Sequence, residues 1–329
     1  MLAVGCVPVT PPPPPPPPTY GPNAPVLGVD FPDPMAVHSG TGYQAFATNG
    51  PFGITKVQAA QATTLSAWTL SPGDALASAP PWASAKPFSY WAPAVHEFAG
   101  TWVLYFVAPH VSGVQCIGVA TAATVEGPYS PSGPGPLVCE TTEGGSIDPS
   151  VFIDDDGTGY LLWKNDGNCC GISTYLWSRR LASDGLTFEL SSPRSALITV
   201  TQGWEDGSSG GVRPWKRLVE APSMVHRNGR YWLFYSASWW DSVNYAVGYA
   251  TCTSPIGGCV KPRNGPLLKG SLAGAGPGGA EVLLDASSQL WLVYHSWAFE
   301  KPSYASGGAR TMRLSRLDFG SEPVLGSGP

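Results

Sequence analysis

Three acidic residues carry most of the chemical promise of this sequence. Asp33 stands in DFPDPMAV, Asp148 in SIDPSVF and Glu220 in VEAPSMV, and each is followed within two residues by a proline. Two carboxyl groups facing one glycosidic bond can break it through an oxocarbenium-like state. One gives its proton to the leaving oxygen, and the other activates a water or attacks directly. The acid must hold its proton near neutral pH, and a third carboxylate beside it favours this because like charges oppose ionisation. Acidic side chains are seldom buried without partners, so three of them converging on one place would mark a site rather than packing. The background composition suits the same chemistry. There are 13 Trp and 13 Tyr while only 12% of residues are charged, which fits a neutral, stackable ligand such as a sugar. Net charge is −5 and no basic run is present, which argues against a nucleic-acid partner.

Convergence requires elements that bring distant residues together, and an internal repeat supplies them. Five aromatic, β-branched segments recur: GYQAFAT (42–48), TWVLYFVA (101–108), TGYLLWKN (158–165), RYWLFYSAS (230–238) and QLWLVYHSW (289–297). Their leading aromatics, Tyr43, Trp102, Tyr160, Trp232 and Trp291, are spaced by 59, 58, 72 and 59 residues. Each segment reads as a strand bounded by turn residues. Small-residue strands follow the second and fourth (IGVATAATVEGPYSP and AVGYATCTSPIGGCVKP), with a weaker copy in VQAAQATTLSAWTL. No amphipathic helix is evident, and Gly 40 with Pro 35 fits many short strands joined by tight turns. The expectation is an all-β fold, a five-bladed β-propeller of four-stranded blades. Ten to twelve residues before each leading aromatic, where the innermost strand should begin, stand Asp33, Trp91, Asp148, Glu220 and Gly279. Radially equivalent positions meet near the axis, so the three carboxylates should share one cavity with an aromatic wall.

The same motifs resemble glycoside hydrolase family 43. The D-P, W-A-P and I-D-P-S-x-F-x-D-x-D-G patterns, then the acidic motif before a Y-Y-L-x-Y-S-like strand, then a late Y-H, follow in order across residues 28–320. The stretch IDPSVFIDDDGTGYLLW is the specific part of the match. The resemblance implies an inverting glycosidase with Asp33 as general base, Glu220 as general acid and Asp148 tuning and orienting the acid. Base and acid would stand about 6.5–9.5 Å apart to admit a water. It implies Trp91 as a sugar-facing wall and Arg310, in GARTMRL, as a sugar contact. His295, in LVYHSW, is expected to face the axis. Trp163, Trp239 and Trp240, in the loops WKNDGNCCG and SWWDSVNY, are expected to stack on sugar at the rim. The acidic motif reads EAPS instead of E-G-P-H. Gly279 replaces a His with which many members help hold a central calcium, so no dedicated calcium site and no other cofactor is expected. Asp154–Asp155–Asp156–Gly157 lacks the later ligands of a calcium loop and reads as a β-turn.

The expected substrate is an α-L-arabinofuranosyl linkage in arabinan or arabinoxylan, hence a plant or cell-wall polysaccharide or oligosaccharide as partner. A β-xylosidase of the same fold and a non-catalytic carbohydrate-binding propeller on the cell surface are the alternatives. The related sucrose- and fructan-cleaving propellers carry different motifs at these slots. Residues 1–23 read as a truncated, lipoprotein-like signal with Cys6 as a lipidation point and membrane tether, followed by a polyproline spacer over Pro11–Pro18. Residues 24–322 form the propeller, and 323–329 a tail. Six further cysteines suggest an oxidising compartment, with Cys252–Cys259, Cys116–Cys139 and a vicinal Cys169–Cys170 among several open pairings. A secreted or cell-surface monomer is expected.

Overall fold

The computed structural model describes residues 18–40, 42–50, 54–208 and 214–329. Cys6 and the proline run up to residue 17 lie outside the described residues. Strand β1 (Pro25–Leu27) precedes the first blade, β2 (Met35–Ser39), β3 (Gly42–Ala47), β4 (Gln58–Thr64) and β5 (Ala67–Leu70). The second blade holds β6 (Trp91–Phe98), β7 (Thr101–Pro109), β8 (Gln115–Ala122) and β9 (Ser130–Ser132). The third holds β10 (Ser146–Ile153), β11 (Gly159–Asn165), β12 (Tyr175–Arg180) and β13 (Ser195–Thr199), and the fourth β14 (Val219–Arg227), β15 (Arg230–Ala237) and β16 (Ala246–Cys252). The fifth comprises β17 (Ala275–Leu284), β18 (Leu290–Trp297), β19 (Thr311–Phe319) and β20 (Pro323–Leu325). All five are antiparallel meanders, as the repeat predicted, and β2, β6, β10, β14 and β17 contact one another in a ring about the axis.

The ring closes through both chain ends. β1 and β20 pair with different parts of β19, so the edge of the last blade is sealed by N- and C-terminal residues. Residues 323–325 are therefore part of the fifth blade rather than a free tail. Tyr20, expected in the tether, also bonds into the fold, its N–H donating to Leu267 O at 2.8 Å.

Each recurrent aromatic strand lies second in its blade and is buried on both faces, because each face belongs to a different wedge between blades. Along β7, Val103 and Tyr105 pack toward the third blade, while Leu104 and Phe106 pack toward the first. Five apolar clusters result, one per wedge. This explains the continuous apolar runs, where a sheet with one wet face would alternate. The small residues of the third strands have a cause as well: a Cβ on Gly118 would lie 2.6 Å from Trp82 and 2.7 Å from Phe106, whose stacked rings cover it. The turn at Asp154–Gly157 is a hairpin loop, with Gly157 N–H on Asp154 O at 2.9 Å. Disulfides join Cys116–Cys139, Cys169–Cys170 and Cys252–Cys259. Among the described residues no helix is long and apolar enough to cross a membrane.

Candidate active site

The inner strands enter the axis through a repeated backbone kink. Asp33, Ala92, Asp148, Ala221 and Gly279 all have positive φ, between 40° and 58°. The first four are followed by proline, which gives up no ladder donor at a point where pairing is broken anyway. Register slips at the kinks of β6, β10, β14 and β17, as in a β-bulge, a device that re-aims side chains. The expected equivalence of five slots is thereby corrected. Asp33, Asp148 and Gly279 occupy the kink itself, but Trp91 and Glu220 precede it by one residue.

Four of the five kinks are tied to the preceding blade through their N–H groups. Ala92 donates to Thr48 Oγ1 at 2.9 Å, Ala221 to Asp148 Oδ2 at 2.9 Å, Gly279 to Ser236 Oγ at 3.0 Å and Asp33 to His295 Nδ1 at 3.0 Å. These bonds hold a left-handed conformation that a non-glycine residue adopts at a cost of about 1–2 kcal/mol. They also draw neighbouring kinks, and the side chains they aim, into one place.

That place is a cavity of about 710 Å³ at one end of the axis, lined by Asp33, Asp148 and Glu220 together. Asp33 Oδ2 accepts from Thr48 Oγ1 at 2.7 Å and lies 3.5 Å from Arg310 Nη1. Burial alone would raise its pKa, but the Arg310 charge and the Thr48 hydroxyl hold the carboxyl below the ordinary range. Arg310 is itself clamped, with its guanidinium carbon 4.7 Å from the Trp240 ring centroid and its Nε and Nη2 each 3.2 Å from Tyr304 OH. Across the cavity, Glu220 is 6% exposed. It accepts from Tyr245 OH at 2.8 Å on Oε1 and from Lys164 Nζ at 3.0 Å on Oε2. Asp148 is pushed well above the carboxylate range, first by burial and then by the Glu220 charge, against the pull of Lys164. One side of the cavity thus holds a carboxyl, Asp33, whose anion is favoured, and the other a carboxyl, Asp148, that retains its proton.

Trp91, Arg310, Trp239 and Trp240 all line this cavity, as their positions suggested. Two expected contacts do not. Trp163 is 1% exposed and packs against Phe188 between the second and third blades, because its strand is buried on both faces. His295 is fully buried behind Asp33, where Nδ1 receives the Asp33 N–H and the Tyr245 ring stacks at 5.9 Å. Its task is to anchor the kink. With Nδ1 accepting, the proton of the neutral ring sits on Nε2, which is buried with no hydrogen-bond partner among the described residues. Gly279 offers no room for a replacement ligand, since a Cβ there would come 2.7 Å from Asp33 Oδ1 and 2.8 Å from His295 Nδ1.

Sequence reasoning missed Lys164, Asp166, Tyr245, Thr48, Tyr304 and Trp215, which line the cavity. Lys164 had a signal: a lysine inside an otherwise apolar strand demands a buried anionic partner.

A five-bladed propeller with a carboxylate trio in an axial cavity is the architecture of a glycosidase. The chain belongs to the glycosyl hydrolases family 43, whose model matches residues 22–322. It is 27% identical over 263 residues to a β-D-galactofuranosidase of Aspergillus niger, covering 76% of this chain and 67% of the relative. To an arabinoxylan arabinofuranohydrolase of Bacillus subtilis it is 28% identical over 259 residues, covering 72% of this chain and 45% of the relative. Against the latter and several other curated relatives, the chain spans only about half their length. The crystal structure of a thermostable family-43 glycoside hydrolase superposes with a TM-score of 0.76 at 25% identity, covering 94% of this chain and 95% of that one.

Proposed function

We propose that this protein hydrolyses α-L-arabinofuranosyl linkages of arabinan or arabinoxylan with inversion at the anomeric carbon. Asp33, held ionised by Arg310, takes a proton from water as its oxygen attacks the anomeric carbon. The bond to the leaving oxygen breaks on the opposite face, and Glu220 gives that oxygen its proton. Asp33 then releases its proton to solvent and Glu220 is reprotonated. Asp148 serves the acid indirectly. Buried beside Glu220, it ensures that the two carboxyls together keep one proton. Asp148, raised by burial and by the Glu220 charge, holds that proton until substrate covers the site and it passes to Glu220.

The observation that carries this reading is the electrostatic division of one cavity: environments that push two carboxyl pKa values apart mark out a base and an acid. The choice of sugar rests on similarity to relatives that include arabinoxylan arabinofuranohydrolases and an extracellular exo-α-(1→5)-L-arabinofuranosidase of Streptomyces chartreusis. Action outside the cell accords with that relative and with three disulfides. The test is NMR of the first-formed anomer from nitrophenyl α-L-arabinofuranoside, with the β-xyloside in parallel. The β-anomer of arabinose is expected. An α-anomer would overturn the inverting mechanism, and turnover of the xyloside alone would replace the sugar assignment.

A further inference from the structure

Acid and base divide the substrate as well as the cavity. Water is activated at Asp33, so the departing half of the substrate lies against whatever rims Glu220. Two short turns from adjacent blades build that rim. The 3₁₀ turn Gly167–Cys170 follows Asp166 at the end of β11, and the turn Pro214–Lys216 leads into β14 and Glu220. They pack against each other, with Asn168 Nδ2 donating to Trp215 O at 3.3 Å.

Trp215 stands out on this rim. It lines the cavity yet is 44% exposed. A large aromatic left in water beside a reaction site has the character of an uncovered binding face. Cys169 lines the cavity next to it and is bonded to Cys170, both residues being exposed. A bond between adjacent cysteines closes the turn on itself and presents sulfur as apolar surface, with no thiol to ionise. The turn is pinned further by Ile172 N–H on Gly167 O at 2.8 Å and by Asn165, whose Oδ1 accepts from Tyr175 N at 2.7 Å. The opposite wall, with Asp30, Asn49, Tyr304 and Arg310, is polar and suits the hydroxyls of a sugar held for cleavage.

We propose that Trp215 and the Cys169–Cys170 disulfide form the leaving-group platform, and that it takes the apolar face of a pyranose ring, the backbone sugar to which the furanoside is attached. The inference rests on the assignment of Glu220 as acid. The platform makes Trp215 a specificity-determining residue and the disulfide a positioning device for it.

The test compares W215A, W215F and C169S/C170S with the wild type on two substrates sharing one furanosyl group. One is an arabinosylated xylotriose, and the other is α-L-arabinofuranosyl azide, whose leaving group is too small to cover the rim. W215A and C169S/C170S should each lower kcat/KM on the xylotriose about tenfold more than on the azide, while W215F, which keeps an aromatic face, should retain the preference. Equal losses on both substrates, or none, would overturn the platform. If the wild type turns over neither, the proposed reaction itself has failed. Calorimetric binding of the same xylotriose then decides, and the platform stands only if W215A weakens that binding about tenfold.

Discussion

Two glutamates are buried around the fourth blade, each against a lysine, and they differ in how completely they are satisfied. Glu205, wholly buried, accepts from Lys261 Nζ at 2.5 Å, Tyr235 OH at 2.8 Å and the N–H groups of Thr201 and Gln202 at 2.7 and 2.8 Å. Four donors meet one carboxylate, and among the described residues no other carboxylate is paired with it. Glu220 has two donors, Tyr245 and Lys164, with Asp148 adding negative charge beside it and a cavity in front. A buried carboxylate whose lone pairs are all used is part of the scaffold. One left under-supplied, crowded by a like charge and open to a ligand is equipped to exchange a proton.

Exchanging each glutamate separates the two kinds. Glu220→Gln removes the proton donor and keeps the shape, so kcat/KM should fall by about 10³-fold or more on substrates whose leaving group needs protonation, with the melting temperature nearly unchanged. Steady-state kinetics and calorimetric melting on one preparation check both halves. A fully active E220Q would erase the contrast. Glu205→Ala strands Lys261 and Tyr235 in the interior and should cost about 3 kcal/mol of stability by denaturant titration, with the kcat of the folded fraction preserved. Loss of kcat without loss of stability there would put Glu205 among the working groups.

Much of this was legible in the sequence, for identifiable reasons. The second strands stood out because both faces are buried, which turns a two-residue alternation into a continuous apolar run. Asp33 and Asp148 stood out because an acidic residue before proline at a strand entrance is chemically odd. The same both-face burial misled at Trp163, since an aromatic at the end of such a strand reads alike whether it packs in a wedge or lines a pocket. The one-residue offset of Trp91 and Glu220 is a backbone bulge, and His295 serves a backbone N–H. Composition and spacing report neither. Trp215 could not be placed because a loop carries no periodicity to tie it to the axis.

The kink itself can be perturbed at its one glycine. Gly279→Ala keeps a conformation that Ala92 and Ala221 already adopt, so backbone strain alone should be tolerable. The added Cβ, however, would lie 2.7 Å from Asp33 Oδ1 and 2.8 Å from His295 Nδ1. The base must move, and kcat should drop about 10²-fold with KM little altered, because small misplacement of a reacting group is costly. An increase confined to KM would show that the base tolerates displacement and that the strain falls on binding.

The subtlest test concerns the proton held by Asp148 and Glu220. Activity should rise with pH as Asp33 ionises, below the ordinary carboxylate range because Arg310 stabilises its anion. It should fall again as the pair loses its proton, near the value of about 8 to which Asp148 is raised by burial and the Glu220 charge. Lys164 lowers that value by favouring the ionised pair. Lys164→Met removes the cation and keeps the stem that fills the space, so the pair should bind its proton more tightly. The basic limb of kcat/KM should then move to higher pH, by about one unit, while the acidic limb, which belongs to Asp33, stays in place. A shift of the acidic limb instead would mean that Lys164 acts on the base across the cavity. Loss of the basic limb altogether would mean that the proton lost there is the lysine's own, and the contrast between a proton-bearing site and a fully hydrogen-bonded scaffold glutamate would fail.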